Sequence, residues 1–339
     1  MFAGSTILIT GVTGSVGRAL LYRLLNPEFS NDPRFGTPER IIGFSRDETK
    51  QFELQSALDR RGFSGPTVEL RIGDVRNRNT IAETLRDSDI VFHTAALKQV
   101  PTGEYFPAEA VRTNVDGAAN IAGAILEHGL STKTVIGIST DKACSPASVL
   151  GLTKALQERI FITANLRTPC TRFVNVRFGN LIASRGSVIP LFLDQISRGG
   201  PVTVTDPMMT RFLLTVDRAI DVVLECAISA NPGEIYVPRI PSARTGELAE
   251  VLIGDQPIEV ICTGARPGEK LHEALISAEE GARTIERGDD LVITPHLPEL
   301  NSRPVTEVLG GSYESSESIL SPEELRDLLG EFDGNTISN

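Results

Sequence analysis

The sequence predicts an α/β fold, a doubly wound parallel sheet with a smaller C-terminal domain against it. Three observations lead there. Short runs rich in β-branched residues alternate with helix-patterned segments through the first half of the chain. Those runs are apolar almost throughout, as in strands covered on both faces, and do not alternate as a half-exposed sheet would. A glycine-rich turn joins the first run to the first helix.

Taken in order, the strands are expected at "TILITGV" (6–12), "RIIGFS" (40–45), "VELRIG" (68–73), "IVFHTAA" (90–96), "TVIGIST" (134–140) and "RFVNVRF" (172–178). Helices are expected near 15–26, 47–60, 78–86, 108–128 and 146–165. Connections of this kind are right-handed, so the strands order into a parallel sheet with helices on both faces. After residue 181 the pattern loosens into Pro/Gly-rich segments such as "GGPVTVTDP" and "NPGEIYVPRIPS". Residues 1–180 are therefore read as a nucleotide-binding domain, with about 213–238 returning to it, and 181–332 as mainly a substrate-binding domain. Ser321, Pro322 and Glu324 in "SPEELRDLLGEF" open a last helix by a capping box, and 333–339 is read as a frayed tail.

Composition narrows the function classes. The net charge is −11, which argues against nucleic acid or a basic membrane-docking face as partner. Any anionic substrate must then be held by local positive groups. The cysteines Cys144, Cys170, Cys226 and Cys262 have no metal or disulfide spacing and are read as buried free thiols. His93, His128, His272 and His296 show no metal spacing, and no metal is expected. The chain runs almost directly into its first strand, with no basic leader and no apolar run long enough for a membrane span, so a cytoplasmic location is expected.

The turn "TGVTGSVG" places Gly11, Gly14 and Gly17 in a GxxGxxG pattern. Glycine there permits a tight turn and close backbone approach, so that amides at the helix N-terminus can hold a pyrophosphate. With Thr13, Ser15 and Val16 this forms the dinucleotide end of a Rossmann-type fold. Ser45 and Arg46 end the second strand, with Lys50 one turn on. Two cations and a hydroxyl suit a 2′-phosphate, which favours NADP; Asp47 keeps NAD as the alternative. Asp74 is placed to accept from the adenine amino group, and Ala95 and Ala96 would pass under the pyrophosphate.

The stretch "GISTDKACSPASVLGLTK" (137–154) carries the chemistry. In the short-chain dehydrogenase pattern a Tyr and a Lys occupy i and i+4 on one helix face, and the Tyr exchanges a proton with the substrate alcohol. Here the pair is Leu150 and Lys154, and no tyrosine lies between Tyr105 and Tyr236. The end of the fifth strand instead offers Ser139, Thr140, Asp141 and Lys142, a hydroxyl anchor, an acid and a base.

With these motifs the chain resembles the UDP-N-acetylglucosamine 4,6-dehydratases, the polysaccharide-biosynthesis branch of the extended short-chain dehydrogenases. The resemblance runs through "FSRDETKQ", "HTAALKQVPTGEYFP", "STDKACSP", "VRFGNLIASRGSVIPLF", "DPMMTRFLLTVDRAIDVV", "GEIYVPRIPS", "GARPGEKLHEALIS" and "LSPEELRDLL". It implies internal hydride transfer on a UDP-sugar with NADP as cofactor and a homo-oligomer, dimer or higher, as the working form. Some relatives carry Met where most have Tyr, so an apolar Leu150 has precedent. Carried over, Lys142 would take the carbon 5 proton, Asp141 would protonate the departing 6-hydroxyl and Thr140 would bond the carbon 4 oxygen. The acceptor of the 4-hydroxyl proton stays open between Asp141, Lys142 and a water held by Thr140. Lys142 must be deprotonated to act as base, which burial and nearby Lys154 and Lys98 are expected to promote. Lys154 would hold the nicotinamide ribose, and Val75, Lys98, Asn114 and Ser139 are counted with the cofactor contacts. Asn180 and Arg211 resemble diphosphate contacts; Arg266 suits phosphate and Glu269 ribose, and Lys98, Ser187, Val188 and Thr205 complete the substrate set. The competing expectations are a nucleotide-sugar 4-epimerase and a catalytically silent binder of the same ligands.

Overall fold

The computed structural model describes residues 1–30, 32–63, 65–182, 187–266, 268–301 and 309–330. The strands in chain order are β1 (Thr6–Thr10), β2 (Arg40–Ser45), β3 (Thr67–Ile72), β4 (Ile90–His93), β5 (Thr134–Thr140), β6 (Arg172–Phe178), β7 (Asn180–Leu181) and β8 (Val202–Val204). They continue with β9 (Thr210–Leu214), β10 (Ile235–Pro238), β11 (Ser242–Arg244), β12 (Val260–Cys262), β13 (Ala274–Ile276), β14 (Thr284–Arg287), β15 (Asp290–Ile293) and β16 (Tyr313–Glu314). A nine-stranded sheet has the order β14-β15-β10-β6-β5-β4-β1-β2-β3. Every pairing from β10 to β3 is parallel, while β15 and β14 are antiparallel at one edge. The winding reverses between β1 and β4, which opens a crevice at the carboxyl ends of the strands.

Burial explains the apolar runs. Ile7 and Ile9 enter one core with Ile41, Phe92 and Ile136, whereas Leu8 points to the opposite face with Ile42, Val91 and Val135. Both faces of the sheet are covered, so neither parity of a strand can be polar. All six expected strands form, and two are shorter than read. β1 stops at Thr10 because Gly11 turns with φ +71°, and β4 stops at His93, after which the chain runs open beside the crevice. The expected helix over 108–128 is an α-helical turn at Pro107–Ala110, a π-helical turn at Val111–Asp116 and an α-helix at Gly117–His128.

The smaller part holds a three-stranded sheet, β11-β9-β7, and the pairs β12-β8 and β13-β16. Its own apolar cluster includes Ile189, Phe192, Val204, Leu213, Leu248 and Leu325. The helix Pro322–Gly330 starts as expected, with Glu324 N bonded to Ser321 Oγ and Ser321 N to Glu324 Oε2. Residues 331–339, including the tail read as frayed, lie outside the described residues. The hairpin of β14 and β15 falls in the stretch read as mainly substrate-binding, yet it extends the large sheet. One reading of the cysteines is corrected: Cys144 and Cys226 are buried, but Cys170 and Cys262 are exposed. Among the described residues no helix is long and apolar enough to cross a membrane, and no group of His, Cys, Asp or Glu could hold a metal ion.

Candidate active site

A cleft of about 500 Å³ follows the carboxyl edge of the sheet from Gly14 and Arg46 at one end to Asn180 and Ser187 at the other. At the first end, a side chain on Gly11 would place Cβ 2.7 Å from Ala95 N, and one on Gly17 would place it 2.5 Å from the Gly11 carbonyl. Only glycine lets the turn and the helix Ser15–Leu25 approach this closely. Gly14 caps that helix without a side-chain bond, so its first amides stay open to an anionic ligand. Thr13, Ser15, Val16, Ala95 and Ala96 line the same wall. This cradle, which a Cβ would fill, fits a dinucleotide pyrophosphate.

Ser45, Arg46 and Lys50 also line the cleft. Arg46 faces Asp74 at 3.7 Å and Lys50 faces Asp47 at 2.7 Å, both cations being about half exposed. Asp47 additionally caps the helix Glu48–Arg61. Val75 reaches the cleft, but Asp74 does not line it and is bound first to Arg76 at 2.6 Å. Burial pushes the Asp74 carboxyl up, and the Arg76 hydrogen bonds and charge more than offset that, leaving it below the usual carboxylate range. Asn114 lies outside the cleft lining and is fully buried. Its amide bonds both Leu97 backbone groups and the Thr153 hydroxyl, so it anchors the loop that carries Lys98.

The reactive end is assembled where β5 runs out. Thr140 Oγ1 donates to Asp141 Oδ1 at 2.7 Å, and Lys142 Nζ lies 3.1 Å from the same oxygen. Asp141 is fully buried, and its Oδ2 has no hydrogen-bond partner among the described residues. Lys142 Nζ also reaches Asn180 Oδ1 at 3.4 Å and Glu273 Oε1 at 3.4 Å. Burial pulls its pKa down, but the charges of Asp141 and Glu273 outweigh burial and the opposing charge of Arg211, holding the ammonium above the ordinary lysine value. The expectation of a readily deprotonated Lys142 is thus corrected, because two carboxylates surround it.

Behind it, Lys154 Nζ donates to the Ile138 carbonyl and to Gln157 Oε1, both at 2.8 Å. Burial pulls its pKa down to about 7, with Glu158 opposing. Leu150 is buried one turn earlier and lines the cleft where a tyrosine would stand. Ser139 donates to Glu158 at 2.6 Å, and Arg177 pairs with both Glu158 and Glu280 at 2.7 Å. His93 is buried and bonded to Thr10 Oγ1, and burial with the charge of Lys154 pulls it down to about 3.

At the substrate end, Asn180, Ser187 and Lys98 line the cleft. The Ser187 hydroxyl is buried without a partner among the described residues, at the start of the helix Val188–Ser197. Buried Arg211 bonds the Thr210 and Leu271 carbonyls and, among the described residues, forms no ion pair with a carboxylate. Such an unneutralised cation fits an anionic ligand group. Thr205 sits just past β8, bonded to Met209 Sδ. Arg266 is exposed, and its amide is taken by Glu269 Oε2 at 3.1 Å. Gly17, Asp141, Val188, Thr205, Arg211, Arg266 and Glu269 are not brought to the cleft lining; Asp141 lies buried behind Thr140 and Lys142, which do line it.

A model of the polysaccharide biosynthesis protein family matches residues 7–295. The chain belongs to that family. It is similar to the UDP-glucose 4-epimerase of Rickettsia massiliae, with 43% identity over 86% of this chain and 82% of that one. It is also similar to the inverting UDP-N-acetylglucosamine 4,6-dehydratase of Campylobacter jejuni, with 39% identity over 88% of this chain and 85% of that one. Among solved structures, Pen from Bacillus thuringiensis superposes with a TM-score of 0.88 at 33% identity, covering 98% of both chains. The match bears out the resemblance carried by the motifs, while epimerase-named relatives stand beside the dehydratase.

Sequence reasoning missed Glu273, buried and aimed at Lys142, and the buried Glu158–Arg177–Glu280 cluster. No local pattern marks Glu273. It reaches the site because its backbone bonds Ser315, beside the β13–β16 pair.

Proposed function

We propose that this protein is an NADP-dependent UDP-N-acetylglucosamine 4,6-dehydratase. The coarser reading, an enzyme that modifies nucleotide sugars, is supported by both groups of named relatives. The observation that carries the finer one is Asp141 and Lys142 sharing a contact at 3.1 Å in a buried site. Elimination needs an acid for the 6-oxygen and a base for carbon 5, whereas epimerisation needs acid–base help only at the 4-oxygen. An ammonium–carboxylate pair and its neutral amine–acid form differ by one proton shift, so this pair supplies both roles.

When bound, the nicotinamide supplies reversible hydride acceptance, oxidising carbon 4 first and reducing carbon 6 last. The chain handles the protons. Thr140 accepts from the 4-hydroxyl while donating to Asp141, which passes that proton to the carboxylate without a tyrosine. Asp141 is then the acid that the 6-hydroxyl requires, and Lys142 removes the carbon 5 proton acidified by the 4-keto group. The open amides after Ser187 suit the diphosphate, and Lys154 suits the nicotinamide ribose. Ser45, Arg46 and Lys50 support NADP, since no acidic residue ends β2 to grip a 2′-hydroxyl.

The second reading, a 4-epimerase, is favoured by the 43% identity to epimerase-named relatives. Incubation with NADP and UDP-N-acetylglucosamine separates the two. Dehydration yields a product lighter by one water, with a carbon 6 methyl signal in its proton spectrum. Unchanged mass with carbon 4 inverted would establish the epimerase, and no turnover of any UDP-sugar the silent binder.

A further inference from the structure

The dehydratase reading leaves one proton unplaced. Lys142 rests as an ammonium between two carboxylates, yet it must act on carbon 5 as an amine. Once Asp141 carries the 4-hydroxyl proton it is neutral and holds the ammonium no longer. The remaining anion in ion-pair contact with Lys142 is Glu273, whose side chain is 3% exposed. Its Oε2 is buried with no hydrogen-bond partner among the described residues, as is Asp141 Oδ2. Buried carboxylate oxygens are ordinarily hydrogen-bonded, so an open oxygen beside the Lys142 ammonium is a place where a proton can be received. The Glu273 backbone is clamped on both sides by Ser315, at 2.9 Å through its N–H and 2.8 Å through its carbonyl, which keeps the side chain on Lys142.

We propose that Glu273 receives the Lys142 proton during elimination, which makes it the positioning residue that frees Lys142 as base. The inference rests on the dehydratase reading above. The N–H bond of Lys142 breaks and an O–H bond forms on Glu273. The freed lone pair takes the carbon 5 proton; Asp141 gives its proton to the 6-oxygen as the carbon–oxygen bond breaks, and its electron pair leaves with water. When carbon 6 is reduced, the Lys142 ammonium returns a proton to carbon 5 and Glu273 hands its own back. The 4-hydroxyl proton has then left in the water, and the cluster is restored with both carboxylates ionised.

Two readouts on Glu273→Gln test this. The first needs no turnover: carbon–proton NMR of protein labelled at Lys50, Lys98, Lys133, Lys142, Lys154 and Lys270, with Lys142 assigned by its disappearance in Lys142→Ala. The groups facing Lys142 are Asp141, Glu273, Asn180 and Arg211, so loss of one anion should lower its titration midpoint. The second separates steps. Appearance of reduced nicotinamide on mixing with UDP-N-acetylglucosamine should persist, while deuterium uptake at carbon 5 and kcat fall ~10²-fold with KM within about twofold of the parent. If Glu273→Gln does not fold, Glu273→Asp serves: the charge stays but withdraws by one methylene, so carbon 5 exchange should slow with carbon 4 oxidation retained. An unmoved Lys142 midpoint, or both steps slowing by the same factor, overturns the proposal. A parent that never dehydrates its substrate sinks the dehydratase reading instead, while the Lys142 midpoint still reports whether Glu273 governs that proton.

Discussion

Lys142 and Lys154 sit on consecutive elements of one cleft, and both are largely buried, yet they rest with opposite tendencies. Lys142 is held above the ordinary lysine value by Asp141 and Glu273, while Lys154 is drawn down to about 7. A carboxylate is near Lys154 as well, but Glu158 is engaged by Arg177 and by the Ser139 hydroxyl. Lys154 is left with a carbonyl and an amide oxygen, neither of which carries a charge. What separates the two lysines is the number of carboxylates not already matched to an arginine. Burial is common to both.

The largest effect expected is at Lys142. Lys142→Ala should lower dehydration by about 10²–10⁴-fold with the fold and cofactor binding kept, read by product assay and circular dichroism. Near-parent turnover would remove Lys142 from the mechanism. Next comes Arg177→Met, which leaves Glu158 buried without its cation and Glu280 with only Arg283 at 3.7 Å. It should cost about 3–5 kcal/mol in denaturant unfolding. In the folded variant Glu158 becomes available to Lys154, whose NMR midpoint should rise from about 7. A midpoint that stays put would break the explanation of the contrast.

A pH series sharpens the Lys154 side. With a folded value near 7 and an ordinary value of 10.5, the unfolded chain binds the extra proton between those limits. Stability should therefore rise with pH across that window and carry the full penalty below it. The stability of the parent relative to Lys154→Met should grow from pH 7 to pH 10; a constant difference would show that Lys154 is not depressed. Leu150→Tyr comes next. The ring must fit a buried space shaped for leucine, at ~1–3 kcal/mol, so activity should match the parent or fall below it. An inert parent rescued by that tyrosine would show that Thr140 and Asp141 do not replace it. The smallest effect is at half-exposed Arg46, where Arg46→Ala should narrow a preference for NADP over NAD in calorimetric titration. Equal affinities in the parent would defeat the preference.

The cofactor half was legible because its signals are local. Apolar runs, a glycine turn and strand ends at Ser45 and Thr140 each follow from a few neighbouring residues. The β14–β15 hairpin was also signalled, by the two-residue turn Gly288-Asp289 between β-rich runs, and was overlooked. The charge state of Lys142 was not legible. It depends on Glu273 and Arg211, which arrive from distant segments through tertiary pairing. Residue identity placed the lysine, but the protons on it are a property of the assembled site.

One labelling experiment tests the central claim, that Asp141 and Lys142 serve an elimination with internal hydride transfer. UDP-N-acetylglucosamine carrying deuterium at carbon 4 is turned over with NADP in ordinary water, and the product is read by mass and NMR. The expected product has lost water and carries the deuterium in its carbon 6 methyl group. A product of unchanged mass that keeps the deuterium at an inverted carbon 4 would contradict that claim.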